Sequence, residues 1–372
     1  MSSTRIIISG GGTGGHIFPA ISIANALRRM EPACEILFVG ATGRMEMEKV
    51  PSAGYNIVGL DIRGIQRGSV IGNLGLPMVL VRSVRKALQI IKEFKPDVVV
   101  GVGGYASGPV LFAASLRCIP YLIQEQNSYA GITNKWLGRK ASKICVAFDQ
   151  MDQFFPGRDI IKTGNPVRKD VVEIKGKKPL GAEWFGLSTT KKTILVIGGS
   201  LGAGTLNRSV EKHLSQLIEN DIQVIWQTGK AYYGTIISRL GENYHPNVRV
   251  LEFLTHMDMA YALADLIISR AGAGTIAELC LIGKPVILVP SPNVAEDHQT
   301  KNALALVKNN AALLVTDNAA EEMLIEEAIT LLKDNDRMKS YSDQIAFLAL
   351  PVADDLIATE VMKLARKEET WN

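Results

Sequence analysis

A chain of 372 residues is long enough for two domains of ordinary size, each with its own core. Its 41 basic residues against 37 acidic ones leave a formal charge of +4, which excludes the overall charge excess of a general nucleic-acid binder and makes any basic site local. Four cysteines, at 34, 118, 145 and 280, stand far apart with no C-x-x-C pair, so neither a disulfide framework nor a structural zinc site is expected and a reducing compartment fits best.

The opening "MSSTRIIIS" enters a strand almost at once, and no stretch reaches the roughly 18 to 20 apolar residues that span a bilayer, so neither a secretory leader nor a transmembrane helix is expected. Short β-rich runs then alternate with longer helical patterns. They are "RIIIS", "EILFVG", "PDVVVGVG", "PYLIQ" and "KICVAF" in the first half, and "TILVIGG", "QVIWQTG", "VRVLEF", "DLIIS" and "PVILVP" in the second. Strands alternating with helices predict doubly wound parallel sheets. Between them, about 164 to 192, lies a stretch rich in Pro, Gly and Lys without a sustained period, which reads as a junction. The expected organisation is therefore a first domain over 1–165, a linker over 166–192 and a second domain over 193–350. An amphipathic helix over 352–369 would return to the first domain.

Each half opens alike, with an apolar strand running into a glycine turn: glycines 10, 11, 12, 14 and 15 in one, 198, 199, 202 and 204 in the other. Such turns permit close backbone approach and lead into helix N-termini that favour anionic groups. Gly10, Gly12 and Gly15 match G-x-G-x-x-G, the dinucleotide fingerprint. The following strand ends at Gly40 without the acidic residue that would grip a nicotinamide ribose. Gly198-Gly199-Ser200-Leu201-Gly202 matches G-x-S-x-G, the elbow of a hydrolase, for which Asp265 and His298 stand in workable chain order. The duplicated architecture speaks against that reading, because the first turn has the same setting and no serine nucleophile. Tight strand-helix packing alone would account for one such turn, yet "GVGGYASGP" at 101–109 makes another. In "SRAGAGTIAEL" the helix is expected to start near Thr275. Thr275 and Glu278 could form a capping box, or Glu278 could accept two hydrogen bonds from a ribose diol.

Taken together, "GGTGGHIFPA", "GVGGYASGP", "QEQNSYAGITNKWL", "TGNPVR", "GGSLGAG", "RAGAGTIAEL" and "EDHQTKNA" cover essentially the whole chain. In that order and spacing they resemble the MurG family of bacterial peptidoglycan glycosyltransferases, glycosyltransferase family 28. The resemblance implies a GT-B fold, with two Rossmann-like domains facing across a cleft. It implies inverting transfer of N-acetylglucosamine from UDP-GlcNAc to undecaprenyl-diphospho-N-acetylmuramoyl-pentapeptide, which converts lipid I to lipid II. The nucleotide sugar would be held mainly by the second domain and the lipid acceptor by the first. Thr13, Gly14 and Gly15 would touch the donor from the first domain, with Asn127 beside them. Arg168 and Ser200 would meet the diphosphate, and Leu254 would face uracil through its backbone. Ala273, Gly274, Thr275, Ile276, Ala277 and Glu278 would hold phosphate and ribose, and Gln299 would read the sugar hydroxyls. Gly103, Gly104, Tyr105 and Asn134 fall on the acceptor side. His298 stands where a glutamine pair is expected, so its contact is open.

Inverting transfer needs a base on the acceptor hydroxyl and charge stabilisation on departing UDP. His16, at the edge of the first turn, is the candidate base or proton relay, since its ordinary pKa of about 6.5 leaves it largely neutral near pH 7. A histidine merely bonded to backbone at a helix start is the bland alternative, and Glu125 is a second candidate base. The sole D-x-D run, Asp334-Asn335-Asp336, falls in a late polar turn, so neither a catalytic metal nor a cofactor is expected. Closure of the domains over bound donor, hinged near 164–192, is expected to supply positioning. Residues 63–86 combine apolar Ile71, Leu74, Leu76, Met78, Val79 and Leu80 with Arg63, Arg67, Arg82, Arg85 and Lys86. Given the resemblance, this segment is expected to place the protein at the cytoplasmic face of the cell membrane, on anionic lipid, where cell-wall assembly proteins could join it. A core helix with a solvated basic flank is the competing reading. A nucleotide-binding regulator without turnover completes the set.

Overall fold

The computed structural model describes residues 3–63, 76–199, 201–241 and 244–367. The chain divides into two compact units. One runs to Arg168 and takes in the C-terminal segment from Val352, and the other spans Lys169–Pro351.

The first unit is built on β1 (Arg5–Gly10), β2 (Glu35–Ala41), β3 (Asn56–Leu60), β4 (Val98–Gly103), β5 (Tyr121–Glu125), β6 (Lys143–Val146) and β7 (Ile160–Lys162). They form one seven-stranded sheet in the order β3-β2-β1-β4-β5-β6-β7, with parallel pairing throughout. β-Branched runs suit a pleated surface covered on both sides. Alternation along β1 divides its side chains accordingly. Ile6 and Ile8 pack with the helix Gly14–Met30 and the C-terminal helix Ala353–Arg366, while Ile7 joins Ala87, Ile90 and Leu111 of the helices Leu76–Phe94 and Ser107–Leu116 on the opposite face.

The C-terminal helix is seated on the helix Gly14–Met30. Its Ile357, Ala358, Val361 and Met362 share a core with Ile23 and Leu27, and Arg29 pairs with Asp354 at 2.9 Å and Asp355 at 2.7 Å.

The second unit has β8 (Thr193–Ile197), β9 (Gln223–Gln227), β10 (Val248–Leu251), β11 (Leu266–Ser269), β12 (Val286–Leu288) and β13 (Leu313–Leu314) in the order β10-β9-β8-β11-β12-β13, again parallel. The segment read as a linker carries two short helices, Lys169–Val172 and Lys178–Phe185. The second fits so closely on the helix Met257–Leu263 that a methyl group at Gly181 would lie 2.6 Å from the Met259 carbonyl oxygen, and Lys177 pairs with Asp258 at 2.6 Å.

In each sheet the order reverses beside the first strand, between β1 and β4 and between β8 and β11. Loops leaving the carboxyl ends of strands at such a switch point form the crevice where open α/β sheets take ligands. The glycine turns occupy these two places.

Candidate active site

In the first unit the turns after β1 and β4 are stacked backbone on backbone. Gly11 donates its N–H to the Gly103 carbonyl at 3.3 Å. A methyl group at Gly104, whose φ is 86°, would lie 2.1 Å from the Gly11 carbonyl oxygen, so only glycine fits. His16 lies in the first turn of the helix Gly14–Met30. Its Nδ1 stands 3.1 Å from Thr13 Oγ1, and its ring rests on Gly103, where a methyl group would come within 2.7 Å of the ring. Exposed Tyr105 covers Gly12. Arg168 places its guanidinium 5.0 Å from the centre of the Phe18 ring, whose edge meets Gly14. The arginine thus belongs to the first unit, beside the helix N-terminus.

Glu125, at the end of β5, is 3% exposed and accepts four hydrogen bonds. Asn127 donates its backbone N–H at 3.0 Å and its side-chain amide at 3.5 Å to Oε1, while Gly131 N–H at 3.2 Å and the Asn134 amide at 2.8 Å reach Oε2. Burial pushes its carboxyl pKa up, against the pull of these donors. Glu125 therefore organises the loop that carries Asn127 and Asn134. Gln124, Gln126 and Asn165 extend this buried network: Gln124 donates to Asn165 at 2.8 Å, Asn165 donates to the Gln126 carbonyl at 2.9 Å, and Gln126 donates to the Val102 carbonyl at 3.2 Å.

The second unit repeats the construction. A methyl group at Gly202, with φ 83°, would lie 2.0 Å from the Thr228 carbonyl oxygen. Gln227 ties the glycine turn to the loop after β10, because its amide donates to the Gly199 carbonyl at 2.9 Å and its oxygen accepts the Leu254 N–H at 3.1 Å. Ser200 lies outside the described residues.

After β11 the helix Ala273–Ile282 starts earlier than expected, with Gly272 in the extended cap position. Thr275 is thus inside the first turn, and the capping-box reading fails. Glu278, half-buried, accepts instead from the Tyr261 hydroxyl at 3.1 Å. Ala273, Gly274 and Thr275 make up the first turn, and Ile276 donates its N–H to the Gly272 carbonyl at 2.9 Å. Ala277 stands beside Glu278 on the same helix. N–H groups of a helix start lack partners within the helix and carry partial positive charge. Arg270 pairs with Asp317 and donates to the Val289 carbonyl at 3.0 Å, and Asn302 donates to the Ala271 carbonyl at 3.3 Å, so the loops after β11 and β12 are braced together. Gln299 follows His298 at the start of the helix His298–Val307 and accepts the Ser291 N–H at 2.9 Å. The two residues before that helix, Glu296 and Asp297, have φ of 56° and 51°, a left-handed conformation unfavourable for both.

Two competing readings end here. The Asp265 carboxylate accepts the Thr193 N–H at 2.8 Å, at the entry of β8, about 13 Å along the strand from its glycine turn, and cannot orient a histidine for Ser200. The acid near the end of β2 is Glu46. Its oxygens accept the Gly12 N–H at 3.0 Å and the Ala41 N–H at 2.9 Å, so it is committed to backbone and does not serve a nicotinamide ribose. Asp334 of the D-x-D run caps the helix Asn335–Phe347 by accepting the Arg337 N–H at 3.0 Å. Sequence reasoning missed Glu46, Gln227 and Tyr261, which act through backbone or through another side chain and have no motif of their own, and it gave no role to Asn165 of "TGNPVR".

The family model "Glycosyltransferase family 28 N-terminal domain" matches residues 6–146, and "Glycosyltransferase family 28 C-terminal domain" matches 193–355. A Parabacteroides distasonis protein named UDP-N-acetylglucosamine–N-acetylmuramyl-(pentapeptide) pyrophosphoryl-undecaprenol N-acetylglucosamine transferase is 55% identical over 368 residues, 99% of this chain and 100% of the relative. A Cytophaga hutchinsonii protein of the same name is 53% identical, covering 97% of this chain and 96% of its own. The crystal structure of Acinetobacter baumannii MurG superposes with a TM-score of 0.78 at 30% identity, over 97% of this chain and 99% of that one. With both of its units matched and its full length shared with such relatives, the chain belongs to glycosyltransferase family 28, in the MurG family.

Proposed function

We propose that this protein transfers N-acetylglucosamine from UDP-N-acetylglucosamine to undecaprenyl-diphospho-N-acetylmuramoyl-pentapeptide. The observation that carries the reading is the second unit's switch point. There a glycine turn, a helix N-terminus, the Glu278 carboxylate and Gln299 gather on braced loops, the set of groups that a diphosphate, a ribose and a sugar require. The names of relatives matched over their full length agree with it.

In the reaction the acceptor oxygen bonds to the anomeric carbon, the bond from that carbon to the UDP oxygen breaks with inversion, and the acceptor proton passes to a base. His16 is the base in this reading. Its Nδ1 stands 3.1 Å from Thr13 Oγ1, and the mechanism requires the tautomer in which Nδ1–H donates to that hydroxyl and Nε2 takes the acceptor proton. Glu125, with both oxygens already engaged, holds Asn127 and Asn134 in place. Gly103 borders His16, while Gly104 and Tyr105 lie against Gly11 and Gly12 of the preceding turn, and in this reading all three face the acceptor. Departing diphosphate charge falls to the N-terminus of the helix Ala273–Ile282. A backbone contact from Leu254 to uracil would come through its carbonyl, since its N–H serves Gln227.

The membrane belongs to the same proposal. Among the described residues no helix is long and apolar enough to cross a bilayer. The helix Leu76–Phe94 exposes Met78, Leu80 and Val81 beside Arg82, Arg85 and Lys86, the pairing of apolar and basic groups that binds anionic lipid at the surface. Leu76 and Val79 are half-buried, and Arg67, Ile71 and Leu74 lie outside the described residues. Peripheral attachment at the cytoplasmic face, where assembly proteins could join, follows from this reading.

The test is transfer of labelled sugar from UDP-GlcNAc to a lipid I analogue in EDTA. Wild-type protein is expected to turn over, Glu278→Ala to raise the donor KM about tenfold or more, and His16→Ala to lower kcat by about 10²- to 10⁴-fold. Folded protein that binds UDP yet transfers nothing with EDTA or with added Mg²⁺ would leave a binding protein without turnover.

A further inference from the structure

We propose that Glu46 is a positioning residue for the transfer reaction. By accepting the Gly12 N–H its buried carboxylate fixes the first glycine turn, and through Thr13 it sets the orientation and tautomer of His16. The role rests on reading His16 as the group that takes the acceptor proton.

Glu46 is 1% exposed, in the first turn of the short helix Glu46–Ser52. A carboxylate withdrawn from water is costly unless its lone pairs are met, and an apolar residue of similar size often serves stability as well. Here each oxygen meets an N–H from a different strand exit, Gly12 after β1 at 3.0 Å and Ala41 at the end of β2 at 2.9 Å. The backbone has closed around it: a methyl group at Gly11 would come within 2.2 Å of Oε1, and one at Gly40 within 2.6 Å of Cγ. The residue after Gly12 is Thr13, whose Oγ1 stands 3.1 Å from His16 Nδ1 and whose carbonyl accepts the His16 N–H at 3.1 Å. On its other side the imidazole is seated against Gly103. A shift of Gly12 therefore moves Thr13 relative to a ring that is seated against Gly103. No other described turn at a switch point is held by a carboxylate on a glycine N–H. In the second unit the corresponding clamp, Gln227, is neutral and acts on a carbonyl.

Glu46→Gln keeps volume and removes one acceptor, because the new NH₂ must face an N–H donor. Two readouts decide the matter. The first is the His16 imidazole, assigned in NMR spectra by comparison with His16→Gln, followed through a pH titration. The second is steady-state transfer with the UDP Kd measured alongside. We expect E46Q to change the His16 tautomer balance or titration midpoint in the direction Thr13→Ala changes it. We also expect kcat to fall about 10- to 100-fold with the UDP Kd held within about threefold. The double variant E46Q/T13A should be little worse than either single change, as for residues acting in one chain of contacts.

An E46Q protein with wild-type His16 signals and kcat within about twofold would overturn the proposal, and so would a loss of UDP affinity as large as the loss of kcat. Should E46Q not fold, Gly40→Ala asks the same question, since its methyl group displaces the carboxylate without removing it, and the same signals are read. Wild-type protein without transfer would remove the proposed function, while the imidazole titration would still report whether Glu46 governs His16.

Discussion

Gly274 has nothing within 4 Å of the place where a methyl group would stand, although it is the second residue of a helix. The contrast with Gly104 and Gly202 is informative, because at those two positions backbone atoms of the neighbouring turn forbid a side chain. Folding does not require glycine at 274, since alanine in a helix is favoured by about 0.5 to 1 kcal/mol. Open space above helix N–H groups is what a bound diphosphate would fill. Gly274→Ala is thus expected to leave the melting temperature unchanged or slightly raised while raising the donor KM about tenfold, and an unaltered KM would move the donor away from this helix. The same scale marks where motifs are weakest as evidence. Thr275 and Glu278 have the spacing of a capping box, but the helix begins at Ala273, and spacing alone could not place the cap. Tyr261, which holds Glu278, lies 17 residues away on another helix and is visible only in three dimensions.

At the level of elements, the ten β-rich runs read from the sequence all contain strands of the two sheets, because a strand covered on both faces is written as an unbroken apolar run. The strands it misses are β3, β7 and β13, each at a sheet edge, with half-buried side chains and as few as 2 residues in β13. Residues 178–185 were hidden for a related reason, since 8 residues are too few to display a helical period. The helix Leu76–Phe94 presents the reverse situation. Its buried side is legible as Ser83, Ala87, Ile90 and Ile91, and Met78, Leu80 and Val81 remain on the outside at 63%, 49% and 49% exposure. Replacing Met78 and Leu80 together by Ser removes apolar area the fold does not use, so stability should hold. Flotation with anionic vesicles should fall several-fold, more at high salt, where headgroup attraction is screened. Flotation equal to wild type would return this helix to the role of a core helix with a solvated flank.

At the scale of the molecule, the chain completes its first unit with its last helix. Ile357, Ala358 and Val361 are fully buried and Met362 nearly so, in the same core as β1 and the helix Gly14–Met30. At about 1.5 to 3 kcal/mol for each large apolar side chain, three of them are comparable to the lower part of the whole stability of an ordinary domain, about 5 to 15 kcal/mol. In the second unit, the core that packs Ile194, Trp226 and Leu324 is drawn from residues 194–338. Ending the chain after Pro351 should therefore have unequal effects. The first unit should lose its cooperative unfolding transition and its fluorescence and NMR signs of packing, whereas the second should unfold near its original temperature and keep its affinity for UDP. Transfer should vanish, because the helix that Ala353–Arg366 supports is the one whose first turn carries His16. A truncated protein that keeps both transitions would show that the first sheet holds itself together without the C-terminal helix. One that loses both, and with them UDP binding, would show that the second unit depends on the first for its own stability.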